Sequence, residues 1–561
     1  MNNRLGQTSI RLRHTDSHAR GRISNRPRTK CPELLLATTW AVLLVGVCCQ
    51  AQDITIMDPR VTRVDVPKPV PPTPLIVDQA KRLFADDWMI ARMDGLKRTL
   101  HPIQKHPANP LLTAEMPWEK PCVLLYGAVM YDPHRTRDRF RMWYLCYTPK
   151  YNADYSQRLE KTGRIAYAIS QDGLVWKRPN LGLHPFQGSK QNNIVIPGPW
   201  GVASVHFDPR DPDPQRRYKA QVRYNGHRAY FSADGIRWNL AGKMDLSAFD
   251  RSTIHWHPHK RRWFASTKNW YRLPGHPDQR GRGYAESDDF IHWTPVAYMC
   301  GTSVNSGEIV YGLEAFYYES LFLGLWDRYR HEPNGLLDVQ LAVSHNGRHW
   351  TRPSDQAWIP LTPLPKDFRR IKSARSPETG VDPFDPQVPW DHANNSASML
   401  GPIRVGDELW IYYSGRTTDH RSRPHVGAIG LGKLRLDGFF SLDAGQQPGT
   451  LVTKPLRLSH ADLRVNADAS DGSLRISILD ADGTPLAPWT RENCIPITTD
   501  SVRHHVQWRG APKLSALAGR TVRLKFEFIQ AELYACWTGT ERSWNTPDTT
   551  TWSENTSPQQ P

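Results

Sequence analysis

The chain has 561 residues, 39% hydrophobic and 23% charged, with a mean hydropathy of −0.58 and a formal net charge of +17. That length asks for two or three domains, and the balance excludes both a multi-span membrane protein and a chain disordered throughout. The abundance of aromatic residues, of Pro (46) and of Gly (38) favours short strands and tight turns over long helices.

Residues 1–51 read as a signal peptide with a basic leader. Arg4, Arg11, Arg13, Arg20, Arg22, Arg26, Arg28 and Lys30 face only Asp16 and Glu33, a net of +6. Leu34 to Val47 is uncharged and apolar, short for a membrane span, and Cys49 and Ala51 supply the small residues of a cleavage site near Ala51. Val47 stands where a lipoprotein would want a small residue before Cys48. We therefore expect a secreted or periplasmic protein with no integral membrane span in its mature chain. The mature charge of +11 describes a mildly basic surface that needs no nucleic acid partner. Cys122, Cys146, Cys300, Cys494 and Cys536 remain, without CxxC or CxH spacing, so no zinc site is expected. A Cys122–Cys146 bridge and a pair of buried thiols both stay open. Nothing in the sequence calls for a metal or another cofactor, and oligomeric state is not legible.

After a Pro-rich lead-in over residues 52–74, a repeat organises residues 75–443. Ser170-Gln171-Asp172-Gly173-Leu174-Val175-Trp176 returns as Ser232-Ala233-Asp234-Gly235-Ile236-Arg237-Trp238, as Ser287-Asp288-Asp289-Phe290-Ile291-His292-Trp293 and as Ser344-His345-Asn346-Gly347-Arg348-His349-Trp350. The tryptophans are 62, 55 and 57 residues apart, a period that suits a four-stranded propeller blade with loops. Asp172, Asp234, Asp289 and Asn346 are read as turn residues, and the Asp-Gly and Asn-Gly pairs supply the positive φ of a tight hairpin. Around the boxes, alternating apolar and polar residues give four strands per repeat. The third repeat is read as Thr253–His257, Trp263–Asn269, Gly283–Ser287 and Ile291–Thr294. A fifth repeat without the box runs Ser398–Val405, Glu408–Ser414, His425–Gly430 and Leu434–Phe440. The expected fold is all-β, a five-bladed β-propeller. Residues 444–537 then read as a small β-sandwich, and residues 538–561 as a frayed tail rich in Ser, Thr, Asn and Pro.

This order of parts resembles the arabinanase–levansucrase–invertase superfamily, most nearly the glycoside hydrolase family 32/43-like propellers. The phrases that carry the resemblance are Arg82-Leu83-Phe84-Ala85-Asp86-Asp87-Trp88, Asn109-Pro110-Leu111-Leu112, the four boxes, and Gly449-Thr450-Leu451-Val452-Thr453-Lys454-Pro455. The family 32 nucleophile phrase and its Glu-Cys acid phrase are absent. The Arg210-Asp211-Pro212 string falls after an inner strand rather than ahead of one, and is read as a polar turn.

The resemblance implies a carbohydrate substrate and an active funnel where the innermost strands begin. Glycoside cleavage there needs one protonated and one ionised carboxyl group. By resemblance Glu119 takes the base or nucleophile place and Asp250 the acid place, with Glu308 a substitute for either. Asp391 and His392 at the fifth repeat join Trp118, Trp200 and Trp390 as candidate substrate-binding residues, the tryptophans either stacking on sugar or plugging seams between sheets. His392 and His206 are expected to be hydrogen-bonded structural groups. Three functions follow: a secreted glycoside hydrolase, a non-catalytic carbohydrate-binding propeller favoured by the lack of a carboxylate at the second repeat's start, and a sialidase-like enzyme, which needs three converging arginines.

Overall fold

A computed structural model of the chain describes residues 55–56, 61–62, 67–153, 157–160, 162–198, 201, 203–272, 279–301, 307–331, 334–370 and 380–541. Trp200, residues 1–51 with the expected signal peptide and cleavage site, and the chain beyond residue 541 lie outside the described residues. Regular structure there is all strand, apart from single 3-10 turns at Pro214–Arg216 and Leu514–Leu517. Among the described residues no helix is long and apolar enough to cross a membrane.

The repeats fold as successive antiparallel meanders. The first comprises Cys122–Tyr131, Phe140–Tyr147, Gly163–Ser170 and Ile194–Ile196. The second comprises Ala203–Phe207, Tyr218–Arg223, His227–Ser232 and Asn239–Lys243. Thr253–His257, Arg262–Arg272, Gln279–Ser287 and Val296–Gly301 follow as the third. The fourth pairs Glu308–Tyr318, Leu321–Arg330 and Leu337–Ser344, with a bridge from Val343 to Thr351 in place of a full outer strand. In the last, Asn394–Ala397 pairs with Glu408–Arg416 and that with Gly427–Arg435.

The expected outer strand of the last meander, Leu434–Phe440, does not form. Asp437 turns to a φ of +62 and the Gly438 amide donates to the Arg435 carbonyl, so the strand ends there. Gln104–Lys105, from the start of the chain, pairs with Gly427–Arg435 in its place. The Asn109-Pro110-Leu111-Leu112 phrase reinforces this junction: the Asn109 side chain exchanges two 2.8 Å hydrogen bonds with the Leu431 backbone, and Leu112 pairs with Ile429.

The repeated boxes show why the sequence folds this way. Asp172 Oδ1 accepts from the Ser170 hydroxyl and from the amides of Leu174 and Val175 at 2.8–2.9 Å. Asp234, Asp289 and Asn346 accept the equivalent pair of amides. A carboxylate that closes its own turn is a structural group. The box glycines seat on neighbouring sheets: Gly235 lies on Trp143 of the first meander, whose indole N–H donates to the Gly235 carbonyl, and Gly173 lies on Tyr412 and Trp410 of the last. The first meander is thereby tied to both the second and the last.

Two further sheets pack around a separate core that includes Phe84, Leu451, Val465, Ile476, Leu524, Phe526 and Leu533. Residues 75–100, which the sequence reading put at the head of the propeller, belong to these sheets. Leu75–Val77 runs parallel to Leu456–Leu458, Ile90–Asp94 pairs with Gly449–Thr453, and Leu96–Leu100 pairs with Phe440–Ala444. Fully buried Lys81 joins the sandwich to the meanders through Asp437 at 2.7 Å. The five cysteines Cys122, Cys146, Cys300, Cys494 and Cys536 are buried and unbridged.

Candidate functional site

A cavity of about 310 Å³ opens where the meanders converge. Every meander contributes to its wall. The first supplies Leu124, Tyr126 and Tyr147, the second Arg223, the third Lys268, Trp270 and Arg280, the fourth Tyr311 and the last Arg416. Loops add Phe249 and Asp250, and also His420, Arg423 and His425, with Arg158 on a short outlying strand.

Asp250 reaches this cavity because its loop is clamped to the strand Arg262–Arg272. The Phe249 amide donates to the Lys268 carbonyl at 2.9 Å, the Lys268 amide to Ser252 Oγ at 2.9 Å, and the Asn269 side chain to the Ser247 carbonyl at 3.0 Å. Arg251 then takes a φ of +54, which separates the two side chains. Asp250 stays partly exposed in the cavity, while Arg251 is fully buried against Tyr126, Asp327 and Glu314. Burial raises the pKa of both Glu314 and Asp327, with Arg251 opposing it. Those two carboxyl groups hold Arg251, which lies against the Tyr126 ring, and do not line the cavity.

Lys268 Nζ lies 2.5 Å from Asp250 Oδ1 and 4.0 Å from the centre of the Tyr311 ring. Burial lowers the lysine pKa to about 8; Arg280 and Arg282 add to that shift and Asp250 opposes it. A buried lysine poised near neutrality holds a proton that can be transferred. On the opposite side Arg416 contacts His425 Nδ1 at 2.8 Å and Arg423 contacts His425 Nε2 at 2.7 Å. Burial, followed by these guanidinium groups, holds the His425 pKa well below its usual value, so the ring is neutral. A neutral imidazole has a single acceptor nitrogen. One of the two guanidinium groups therefore faces a nitrogen that cannot accept.

The charge of the wall is lopsided. Arg158, Arg223, Lys268, Arg280, Arg416 and Arg423 surround Asp250, the sole carboxylate among the described lining residues. Arg223, Arg280, Arg416 and Arg423 have no carboxylate partner among the described residues, and a buried Nη1 of Arg280 has no hydrogen-bond acceptor. Aromatic faces interleave with the cations: Arg280 lies 5.3 Å from the ring centres of both Trp270 and Tyr311.

Of the residues expected from sequence that are described, only Asp250 lines this cavity. Glu119 is fully buried and saturated: Oε1 accepts from Tyr144 at 2.6 Å and Arg178 at 2.7 Å, and Oε2 from the amides of Glu115 and Met116. It ties residues 113–119 to the first meander and has no exposed oxygen for a substrate. Glu308 lies 3.6 Å from Arg328 and 3.5 Å from Arg352, away from the cavity. Asp391 is buried between Lys105 at 2.6 Å and the Tyr413 hydroxyl at 2.9 Å. His392 bonds the Thr362 carbonyl, Trp390 packs on Tyr413, and Trp118 donates to Asn193. These are seams between strands. Buried His206 bonds Ser204.

Sequence reasoning missed the cations. Trp270, Arg280 and Arg416 fall just beyond the strands read as Trp263–Asn269, Gly283–Ser287 and Glu408–Ser414, which extend to Arg272, from Gln279, and to Arg416. Several basic residues at the same end of successive strands were the available signal.

No protein-family model and no curated protein matches the chain. Several solved structures are similar at low identity. A β-1,2-mannobiose phosphorylase from Listeria innocua is 15% identical, covering 60% of this chain and 97% of that one at a TM-score of 0.39. A glycosyl hydrolase from Bacteroides ovatus is 12% identical over 60% and 94% of the two chains, with a TM-score of 0.37. An N-acetylgalactosamine deacetylase from F. plautii, solved with blood group B trisaccharide, is 13% identical over 62% and 97%, with a TM-score of 0.38.

Proposed function

We propose that this chain is an exported glycoside hydrolase on a five-bladed propeller of the family 32/43-like kind, with its site in the axial cavity around Asp250. The observation that carries the reading is the convergence of all the meanders on one recess in which a carboxylate, a transferable lysine proton and aromatic faces meet. Aromatic faces suit the apolar faces of sugar rings, and a carboxylate beside a proton donor suits proton transfer at a glycosidic oxygen. Asp250 is the group in contact with substrate. Lys268 holds and orients it, and Tyr126 and Tyr311 wall the reacting position.

The carboxyl pair inferred by resemblance is withdrawn at Glu119, whose oxygens are occupied. That leaves one carboxylate, and it is the observation favouring the second reading, a carbohydrate-binding propeller that has lost cleavage.

Release of reducing sugar from a panel of neutral and acidic polysaccharides tests the choice. The hydrolase reading expects release from at least one glycan and a loss of about 100-fold or more in Asp250→Asn, as for a general acid–base group. Binding without release, in wild type and variant alike, supports the binding module.

A further inference from the structure

We propose that the cavity takes a glycan that carries an acidic group, a carboxylate or a sulfate ester, and that Arg280, Arg416 and Arg423 hold that group. This rests on the carbohydrate-active reading and specifies its substrate class.

Among the described residues the wall gathers six cations around one carboxylate, and its arginines are held in place by groups that leave their charge intact. Arg416 is 3% exposed, and its contacts are the His425 and His420 ring nitrogens, at 2.8 and 3.5 Å. Arg423 donates to the carbonyls of His420, Arg421 and Ser422. Arg280 is sandwiched among Trp270, Tyr311 and Tyr329. Positive groups crowded into a desolvated recess repel one another, and fixing them there is costly unless an anion completes the set. The guanidinium fork matches a two-oxygen anion, and low dielectric strengthens each such bond.

The same walls argue for an acid group that belongs to a sugar. Trp270, Tyr126, Tyr147, Phe249 and Tyr311 offer faces that a free inorganic anion has no use for. A recess of about 310 Å³ sits at the small end of ligand pockets (roughly 300–1,000 Å³), the scale of one or two sugar residues rather than of a nucleic acid groove. Asp250 stands on the same wall as Arg280, so an acid group held by the arginines puts a neighbouring glycosidic oxygen within the carboxylate's side of the cavity.

Calorimetric titration of the purified full chain tests this with four probes: an oligogalacturonide, the same oligomer after carboxyl reduction, a sulfated oligosaccharide of similar length, and inorganic phosphate. Arg280→Gln and Arg423→Gln are the variants, each checked for a wild-type melting profile, with Arg416→Lys as a third that keeps the charge. Binding of the oligogalacturonide that is at least tenfold tighter than its reduced form, and at least tenfold weaker in Arg280→Gln or Arg423→Gln, is the expected result for a carboxylate. The same losses on the sulfated probe alone identify a sulfate ester. Equal binding of charged and reduced forms overturns the proposal, as does failure of both acidic probes. Tight binding of phosphate, with sugar phosphate released in its presence, also overturns it by making the cluster a co-substrate site. Acidic binding without cleavage defeats the hydrolase reading and leaves this one standing; cleavage confined to neutral glycans does the reverse.

Discussion

Asp250 and Glu119 look alike in the sequence, each an acidic residue shortly before an inner strand. Their surroundings separate them. Glu119 is fully buried and accepts four hydrogen bonds from its own neighbourhood, whereas Asp250 pairs with Lys268 and lines the cavity. Asp250→Asn is expected to cut sugar release by about 100-fold or more in a chain that still folds. Glu119→Gln is expected to cost about 1–3 kcal/mol of stability, because Arg178 and Tyr144 lose a charged partner, while the folded fraction keeps its rate. Thermal melts beside release assays check both.

Lys268 gives a pH dependence of definite sign. The lysine faces Asp250, Arg280, Arg282, Asp327 and the Tyr311 ring, and its pKa is lowered to about 8, first by burial. Its charge is present below that pH and is lost above it. An anionic ligand prefers the protonated form, so affinity falls as pH rises through about 8, and the bound anion moves the midpoint upward. Titrations from pH 6 to 10 are expected to show a loss of roughly tenfold, removed in Lys268→Met, in keeping with one charge-assisted contact.

At the scale of elements, the boxes were legible because their physics is local. A Ser hydroxyl and an Asp carboxylate close a turn on their own backbone, and a residue at positive φ follows. Gly173, Gly235 and Gly347 occupy that position with φ of +77, +76 and +70. Phe290 holds it at +74 without a glycine, and its ring is fully buried among Trp263, Phe231 and Trp293. Packing there offsets a strained backbone. Gly235→Ala has no such compensation: the added carbon would lie 2.8 Å from Trp143 and 3.0 Å from Tyr218. A loss of about 1–3 kcal/mol, read from the denaturation midpoint, is expected. Strand ends were less legible. Arg280 and Arg416 lie just past the strands read from the sequence, whereas they continue the ladders, Arg280 opposite Trp270 and Arg416 opposite Asn394. Charge at a strand end marks solvent only when no neighbouring strand covers it.

For the molecule as a whole, the order of strands in each repeat could be read from the sequence, but the pairing of distant segments could not. Residues 75–100 join the sandwich and Gln104–Lys105 completes the last meander, contacts that span more than 300 residues and leave no local periodicity. The cavity is likewise a property of convergence. Arg223 comes from the second meander, Arg280 from the third, and Arg416 and Arg423 from a strand and a loop of the last, and they become one site only where those meanders converge.

The central claim is that saccharide binds in this cavity with its reacting bond at Asp250. A crystal structure of the Asp250→Asn variant soaked with the tightest-binding oligosaccharide tests it most directly. The account predicts a sugar stacked on Trp270 or Tyr311, a glycosidic oxygen within hydrogen-bonding distance of residue 250, and an acid group on the Arg280, Arg416 and Arg423 side chains. Sugar bound instead on the Trp118–Glu119 or Trp390–His392 segments, with this cavity filled by solvent, would contradict it.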